Sequence, residues 1–382
     1  MLDAIGAALS TAAGLFWKAA WALALGYAVS AAIQVFVSRR SAAEHLGSGS
    51  PRQLALAGLL GFASSSCSFA ALSATRSLWT KGAALTTALA FMFASTNLAI
   101  EVAALAFIFL GWEYAVGLFV GAPLLIGVMA VLVRLTAPSR LVTQAKEHAE
   151  QAAGMEMDPA RGLPAGLSDR VRDLRAYEHM GSAYVSEWRM VYKELIVGFL
   201  VAGAVAALVP ASFFEALFPQ EGSSWYLVPL QALLAPVLAL VTVIGSMGNG
   251  PLAAILAENG ILFGAIMAFL YADFVVPPAL KINANYYGWR FAGYLGLVFS
   301  AAAVLTGIAV HGVFALVGLV PEGAKDLEEL ATFRLDYTFW LNLLALTVAV
   351  ALFLLARRDR RSADADEPYP DEARAPAHTE HR

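Results

Sequence analysis

Few residues in this chain could do chemistry in an apolar setting, and they fall into short groups. Asp273, in AFLYADFVVPPAL, and Glu101, in FASTNLAIEVAALAF, are acids inside otherwise apolar runs. A charge at a bilayer centre costs about 2.5–3.5 kcal/mol on insertion scales, so it faces a cavity or a partner and is suited to take up and release a proton. These two are the candidate proton-coupling groups, Asp273 the stronger; the competing reading of each is a structural hydrogen bond. The run Ser64, Ser65, Ser66, Cys67, Ser68 is unusual in an apolar stretch. Serines can tie helices together at small-residue contacts, but four of them around a thiol read better as the lining of a permeation path. Ser95, Thr96 and Asn97 in the first half and Asn249 in the second put hydroxyls and amides where such groups either bind substrate or cap broken helix ends. Lys281, Asn283 and Asn285 follow Pro277-Pro278 and suit one mouth of a cavity. Lys81 and Glu258 read as solvated hairpin ends, and His311, without an acid or thiol at ligand spacing, as structural.

What is missing narrows the function. The sequence holds no Walker A loop, GxGxxG, HExxH, GxSxG or CxxC, so no catalytic residue, metal or cofactor is expected. One cysteine cannot make an intramolecular disulfide or a thiolate metal site. A net charge of −4 leaves no basic face for nucleic acid. The expected partners are a small-molecule substrate, the lipid bilayer and a homo-oligomeric copy.

The elements that must position these groups are membrane helices. Of 382 residues, 59% are hydrophobic and 14% charged, against roughly 45–50% and about 25% in a soluble domain. A span needs about 20 apolar residues. Apolar runs lie near 14–37, 53–72, 82–110, 115–133, 191–209, 225–246, 260–280, 291–319 and 337–356. The first lacks a basic leader and a cleavage site and reads as a retained span. The composition divides the chain into a first membrane repeat (1–134), a charged cytoplasmic linker (135–187), a second repeat (188–320), a loop with an extra span (321–356) and a disordered cytoplasmic tail (357–382).

The two halves read as a duplication. Residues 73–95 align without gaps on 251–273: Leu78 with Leu256, Gly82 with Gly260, Ala90-Phe91 with Ala268-Phe269, Ala94 with Ala272. One gap later Gly111-Trp112 falls on Gly288-Trp289. Basic residues flank the first loop (Arg39, Arg40, Arg52), the linker (Arg134, Arg140, Lys193) and the tail (Arg357, Arg358, Arg360, Arg361), placing all three in the cytoplasm. Nine full crossings cannot satisfy that, so one segment per half must be broken or re-entrant, and the halves inverted. Arg76 and Lys81 would then face outside, against the rule; parallel four-plus-four repeats with an extra span are the alternative.

The segments 64–101, 111–126, 187–210 and 246–288, with their SSCS, FASTNL, GN-x-PLAA, F-x-x-AD and YYG elements, resemble the predicted-permease family of the ArsP type. The resemblance implies an all-α polytopic permease of two homologous halves, in a bacterial inner membrane, some members exporting trivalent organoarsenicals. Members carry a second cysteine in a CSVGN motif, matched here by Ser246-Met247-Gly248-Asn249. A soft trivalent arsenical prefers two thiolates; this chain offers Cys67 and the Met247 thioether, which weakens arsenical export without removing it. The expected function is proton-coupled export of a small soft or amphipathic solute. A passive channel and a membrane-embedded enzyme using Cys67 are the rivals, the latter lacking any residue placed to activate the thiol.

Overall fold

The computed structural model describes residues 2–36, 46–64, 68–151, 164, 167–219, 224–242, 246–321 and 337–366. Ser65, Ser66 and Cys67 lie outside them. All regular secondary structure among the described residues is helical. In order the helices are α1 (Leu2–Phe36), α2 (Pro51–Ser64), α3 (Ser68–Thr80), α4 (Leu85–Asn97), α5 (Ile100–Phe109), α6 (Trp112–Thr136), α7 (Ser139–Gln151), α8 (Leu167–Arg172), α9 (Leu174–Leu208), α10 (Ala211–Leu217), α11 (Ser224–Thr242), α12 (Ser246–Glu258), α13 (Phe263–Leu270), α14 (Pro277–Tyr287), α15 (Trp289–Leu316) and α16 (Tyr337–Asp366).

Five of these, α1, α6, α9, α15 and α16, are long and apolar enough to cross a bilayer. The pair α4 and α5 is apolar enough only when taken together and is bent by 44° at its break, as in a broken span or a re-entrant loop. The other apolar runs resolve into shorter pieces. Helix α11 is apolar over Tyr226–Thr242, the run 53–72 divides between α2 and α3, and 260–280 is broken over 271–276. Helix α9 runs unbroken from the linker's last residues into the membrane run, its N-terminus capped by the Asp173 carboxylate on the Arg175 N–H at 3.0 Å. Helix α16 likewise continues past Arg357 to Asp366, through a stretch whose arginines and alanines favour a helix.

The innermost elements are two short helices. Thr86–Asn97 of α4 and all eight residues of α13 are buried. At about 1.5 Å per residue neither can cross about 30 Å of hydrocarbon, so each depends on the longer helices around it. Helix α2 packs on α4, α11 on α13, and α6 against α15. Helices α1, α9 and α16 form a flanking group, held by 1·9, 9·16 and 1·16 contacts. Small residues set the closest crossings. A Cβ on Gly203 of α9 would lie 2.8 Å from Ala12 Cβ of α1, and one on Gly307 of α15 the same distance from Ala268 Cβ of α13. Without a hydrophobic difference between lipid and partner, such close backbone approach is what holds apolar helices together.

The two halves turn in the same way at the aligned positions. Gly82 and Gly260 have φ of 108° and 79°, a region only glycine enters without strain. Gly82 N–H bonds the Trp79 carbonyl and Ala83 N–H that of Leu78; Gly260 bonds Ala257 and Ile261 bonds Leu256. Past the one-residue gap, Gly111 and Gly288 again have positive φ, 127° and 83°, directly before α6 and α15. Helix α7 is amphipathic and lies over α3, α14 and α15, burying Ala145 and Ala149.

Candidate functional site

Each half has a central helix that stops inside the protein. Helix α4 ends at Leu98, whose N–H donates to the Ala94 carbonyl while the Ala99 N–H donates to that of Thr96, and α5 starts after Ala99. Helix α13 ends at Tyr271, and a non-helical stretch leads to Val276 and the Pro277-Pro278 start of α14. The first residues of α5 and α14 follow Ala99 and Val276, neither of which can cap with its side chain. Irregular backbone at this depth is tolerated only where protein or a water-filled cavity surrounds it.

Asp273 lies in the second break and is 1% exposed. Its Oδ1 accepts a hydrogen bond from Asn249 Nδ2 at 2.6 Å, and Asn249 is equally buried in the first turn of α12. Two residues singled out separately in the sequence thus form one polar pair 24 positions apart. An amide donor facing an acceptor-only carboxylate makes a charge-assisted bond, the strong kind.

Glu101 is also 1% exposed, in the first turn of α5. Its negative charge suits the positive end of that helix's dipole. Gly26 of α1 closes over it: a Cβ there would sit 3.2 Å from Glu101 Cα. One turn on, Leu105 stands opposite Gly250, where an added Cβ would be 3.4 Å from Leu105 Cβ. Helix α12 therefore reaches the second break through Asn249 and α5 through Gly250.

Ser95, Thr96 and Asn97 are fully buried at the end of α4. Ser95 Oγ donates to the Met92 carbonyl at 2.9 Å and Asn97 Nδ2 to that of Phe93 at 3.2 Å. These bonds turn back onto their own helix rather than capping α5. Thr96 Oγ1 and Asn97 Oδ1 are left without a hydrogen bond among the described residues. Ser68 opens α3 and is buried. Met247 lies in the first turn of α12. Lys81 is exposed at the first hairpin turn and Asn283 is buried on α14. His311 packs beside Phe263, ring centroids 6.3 Å apart.

Aromatic residues lock the breaks to the opposite half. Phe93 of α4 meets Phe274 of the second break at 5.4 Å and Phe299 of α15 at 5.0 Å. Tyr271, aligned with Phe93, reaches the other way and donates its hydroxyl to the Gly117 carbonyl of α6 at 2.7 Å. One aromatic residue thus ties each half's break to the long helix of the other, while α4 packs on α6 and α13 on α15.

One buried carboxylate escaped the sequence reading. Glu187 is 1% exposed and accepts hydrogen bonds from Ser30 Oγ at 3.1 Å and from Gln34 Nε2, both on α1. It stood at the boundary of a stretch read as solvated linker. The signal was present as Ser30 and Gln34, polar residues one turn apart in the first apolar run.

The comparisons with known proteins agree with this architecture. The chain is 38% identical over 322 residues, 83% of its own length and 79% of the relative's, to the protein named "Putative permease Rv2963" of Mycobacterium tuberculosis (strain ATCC 25618 / H37Rv). No solved structure matches. The family model described as "Predicted permease" matches residues 4–312, which takes in both breaks, Glu187 and every helix from α1 through most of α15. The chain is a multi-pass membrane protein and belongs to the predicted-permease family of the ArsP type.

Proposed function

We propose that this permease is a proton-coupled exporter of a small soft or amphipathic solute, with organoarsenicals among the candidates. The observation that carries the reading is the Asn249–Asp273 bond, a carboxylate and an amide buried together where a central helix breaks. Broken helices at the meeting of two repeats are where secondary transporters place substrate and coupling-ion sites. The matched turns at Gly82 and Gly260 and at Gly111 and Gly288 support a two-repeat organisation. Alternating access follows from moving one half against the other about the breaks. Protonation of Asp273 weakens its pull on the Asn249 amide, loosening α12 from the second break; deprotonation restores the bond. Glu101 is the second coupling carboxylate, beneath Gly26 of α1 and one turn before Leu105, which meets α12. Substrate contacts fall to Ser65, Ser66, Cys67, Ser68, Ser95, Thr96, Asn97, Met247 and Asn249. Thr96 and Asn97 have oxygens available for a ligand. The setting is the inner membrane of a bacterium, with linker and tail in the cytoplasm.

The test is transport in everted membrane vesicles with an imposed pH gradient, screening methylated trivalent arsenicals and other soft solutes. Gradient-dependent movement by the wild type, lost in both Cys67→Ala and Asp273→Asn, is the expected result. Asp273→Asn moving solute normally against a gradient rules out its coupling role. Movement only down a concentration gradient, indifferent to pH, makes the protein a passive facilitator.

A further inference from the structure

A cavity of about 900 Å³ lies between α1, α9 and α16, away from both helix breaks. Its walls are aromatic: Trp17 from α1, Tyr184, Trp188 and Tyr192 from α9, Phe339 and Phe353 from α16. Its floor is small, with Ala20 and Ala24 facing Ala345 and Ala349. Helix α16 is fastened to its neighbours near both ends of the cavity. Near one end Asn342 Nδ2 donates to the Trp17 carbonyl at 2.9 Å. At the other, Gly181 of α9 admits α16 so closely that a Cβ would lie 2.9 Å from Leu355 Cβ, and Ser182 Oγ donates to Asp359 Oδ2 at 2.5 Å. His179 faces the same carboxylate at 3.6 Å.

Charge says what fills it. Arg189 lines the cavity, is exposed, and makes no ion pair or hydrogen bond among the described residues. Because Gly181 lies on Leu352 and Leu355, the stretch of α9 carrying Arg189 runs beside the apolar span of α16. An arginine beside apolar spans at a lipid-facing crevice calls for an anionic or polar partner. From Phe339 to Phe353 the crevice runs about 21 Å along α16, and Arg189 stands level with its middle, so roughly 10 Å of apolar wall lies beyond it for the first part of an acyl chain. Aromatic walls with a single cation match an amphiphile with an apolar body and a single negative head. We propose that this crevice is a binding site for an anionic phospholipid of the bilayer, its acyl chain on the alanine floor and its phosphate on Arg189. A lipid held here joins α16 to the α1–α9 pair as a third fastening.

The test uses the full chain, reconstituted in vesicles of equimolar phosphatidylglycerol and phosphatidylcholine, re-extracted in mild detergent and weighed intact by native mass spectrometry. The wild type retains one phosphatidylglycerol per chain, favoured about fivefold over phosphatidylcholine, the factor expected of one basic residue near an anionic head. Arg189→Gln brings the two lipids to near parity, and Ala349→Phe, which fills the floor, abolishes retention of both. Each variant is first shown to be monodisperse and helical by size exclusion and circular dichroism; should Ala349→Phe fail there, Ala24→Leu takes its place. Equal retention of the two lipids by the wild type overturns the proposal, as does phosphatidylglycerol retention unchanged by the filling variant. A lipid-free dimer that Ala349→Phe dissociates would make the crevice a contact between copies of the chain instead.

Discussion

The Asn249–Asp273 bond can be weighed by a double-mutant cycle. Asn249→Ala and Asp273→Ala each remove the bond the two share, 2.6 Å long between groups that are each 1% exposed. In a soluble core a hydrogen bond to a charged group is worth about 1.5–3 kcal/mol net. Polar contacts between membrane helices average roughly 0.6 kcal/mol with a maximum near 1.7, because the unfolded chain in a membrane also finds partners. Full burial and the short distance put this pair at the upper end, so the expected coupling energy is about 1–1.7 kcal/mol. Asp273→Asn leaves a carbonyl able to accept from Asn249 and loses only the charge assistance, so its coupling to Asn249 falls to about 0.5–1 kcal/mol. The assay is reversible unfolding in mixed micelles with increasing dodecyl sulfate, followed by far-ultraviolet circular dichroism for wild type, both single variants and the double. A coupling energy below about 0.3 kcal/mol, the scatter of independent sites, refutes the argument that this bond holds α12 to the second break.

Three further outcomes follow from the packing. Gly307→Leu should destabilise by about 1–3 kcal/mol or prevent folding, since its Cβ would lie 2.8 Å from the Ala268 nitrogen and Cβ, while Gly312→Leu, with open space around it, leaves size-exclusion profiles unchanged. Glu187→Leu should cost about 1–3 kcal/mol in the same unfolding titration by stranding the Ser30 and Gln34 donors, and Glu187→Gln, which keeps an acceptor, markedly less. Tyr271→Phe removes the bond to the Gly117 carbonyl and should cost about 0.5–1.5 kcal/mol; a variant as stable as wild type would show that ring packing alone fastens α13 to α6.

By itself the sequence determined the class and the punctuation. Apolar runs longer than any soluble core requires give membrane helices. The glycines at 82, 260, 111 and 288 mark turns because positive φ there admits little else. The match of 73–95 to 251–273 located the hairpins whose turn hydrogen bonds then coincide residue for residue. The acids worth watching, Asp273 and Glu101, were legible because a carboxylate in an apolar run is expensive.

Only the tertiary structure decided which groups meet. Asn249 finds Asp273 across a hairpin, and Glu187 finds Ser30 and Gln34 from the far side of the chain. No local period encodes either pairing. The crevice at α16 is walled by α1, α9 and α16, a property of three helices together. The physical reason is the solvent. In water an amphipathic stripe tells a helix which face to bury, as it does for α7. In lipid the apolar faces turned to neighbours and to solvent are alike, so contact is chosen by small residues, hydrogen bonds and shape, which become visible only once the helices are packed.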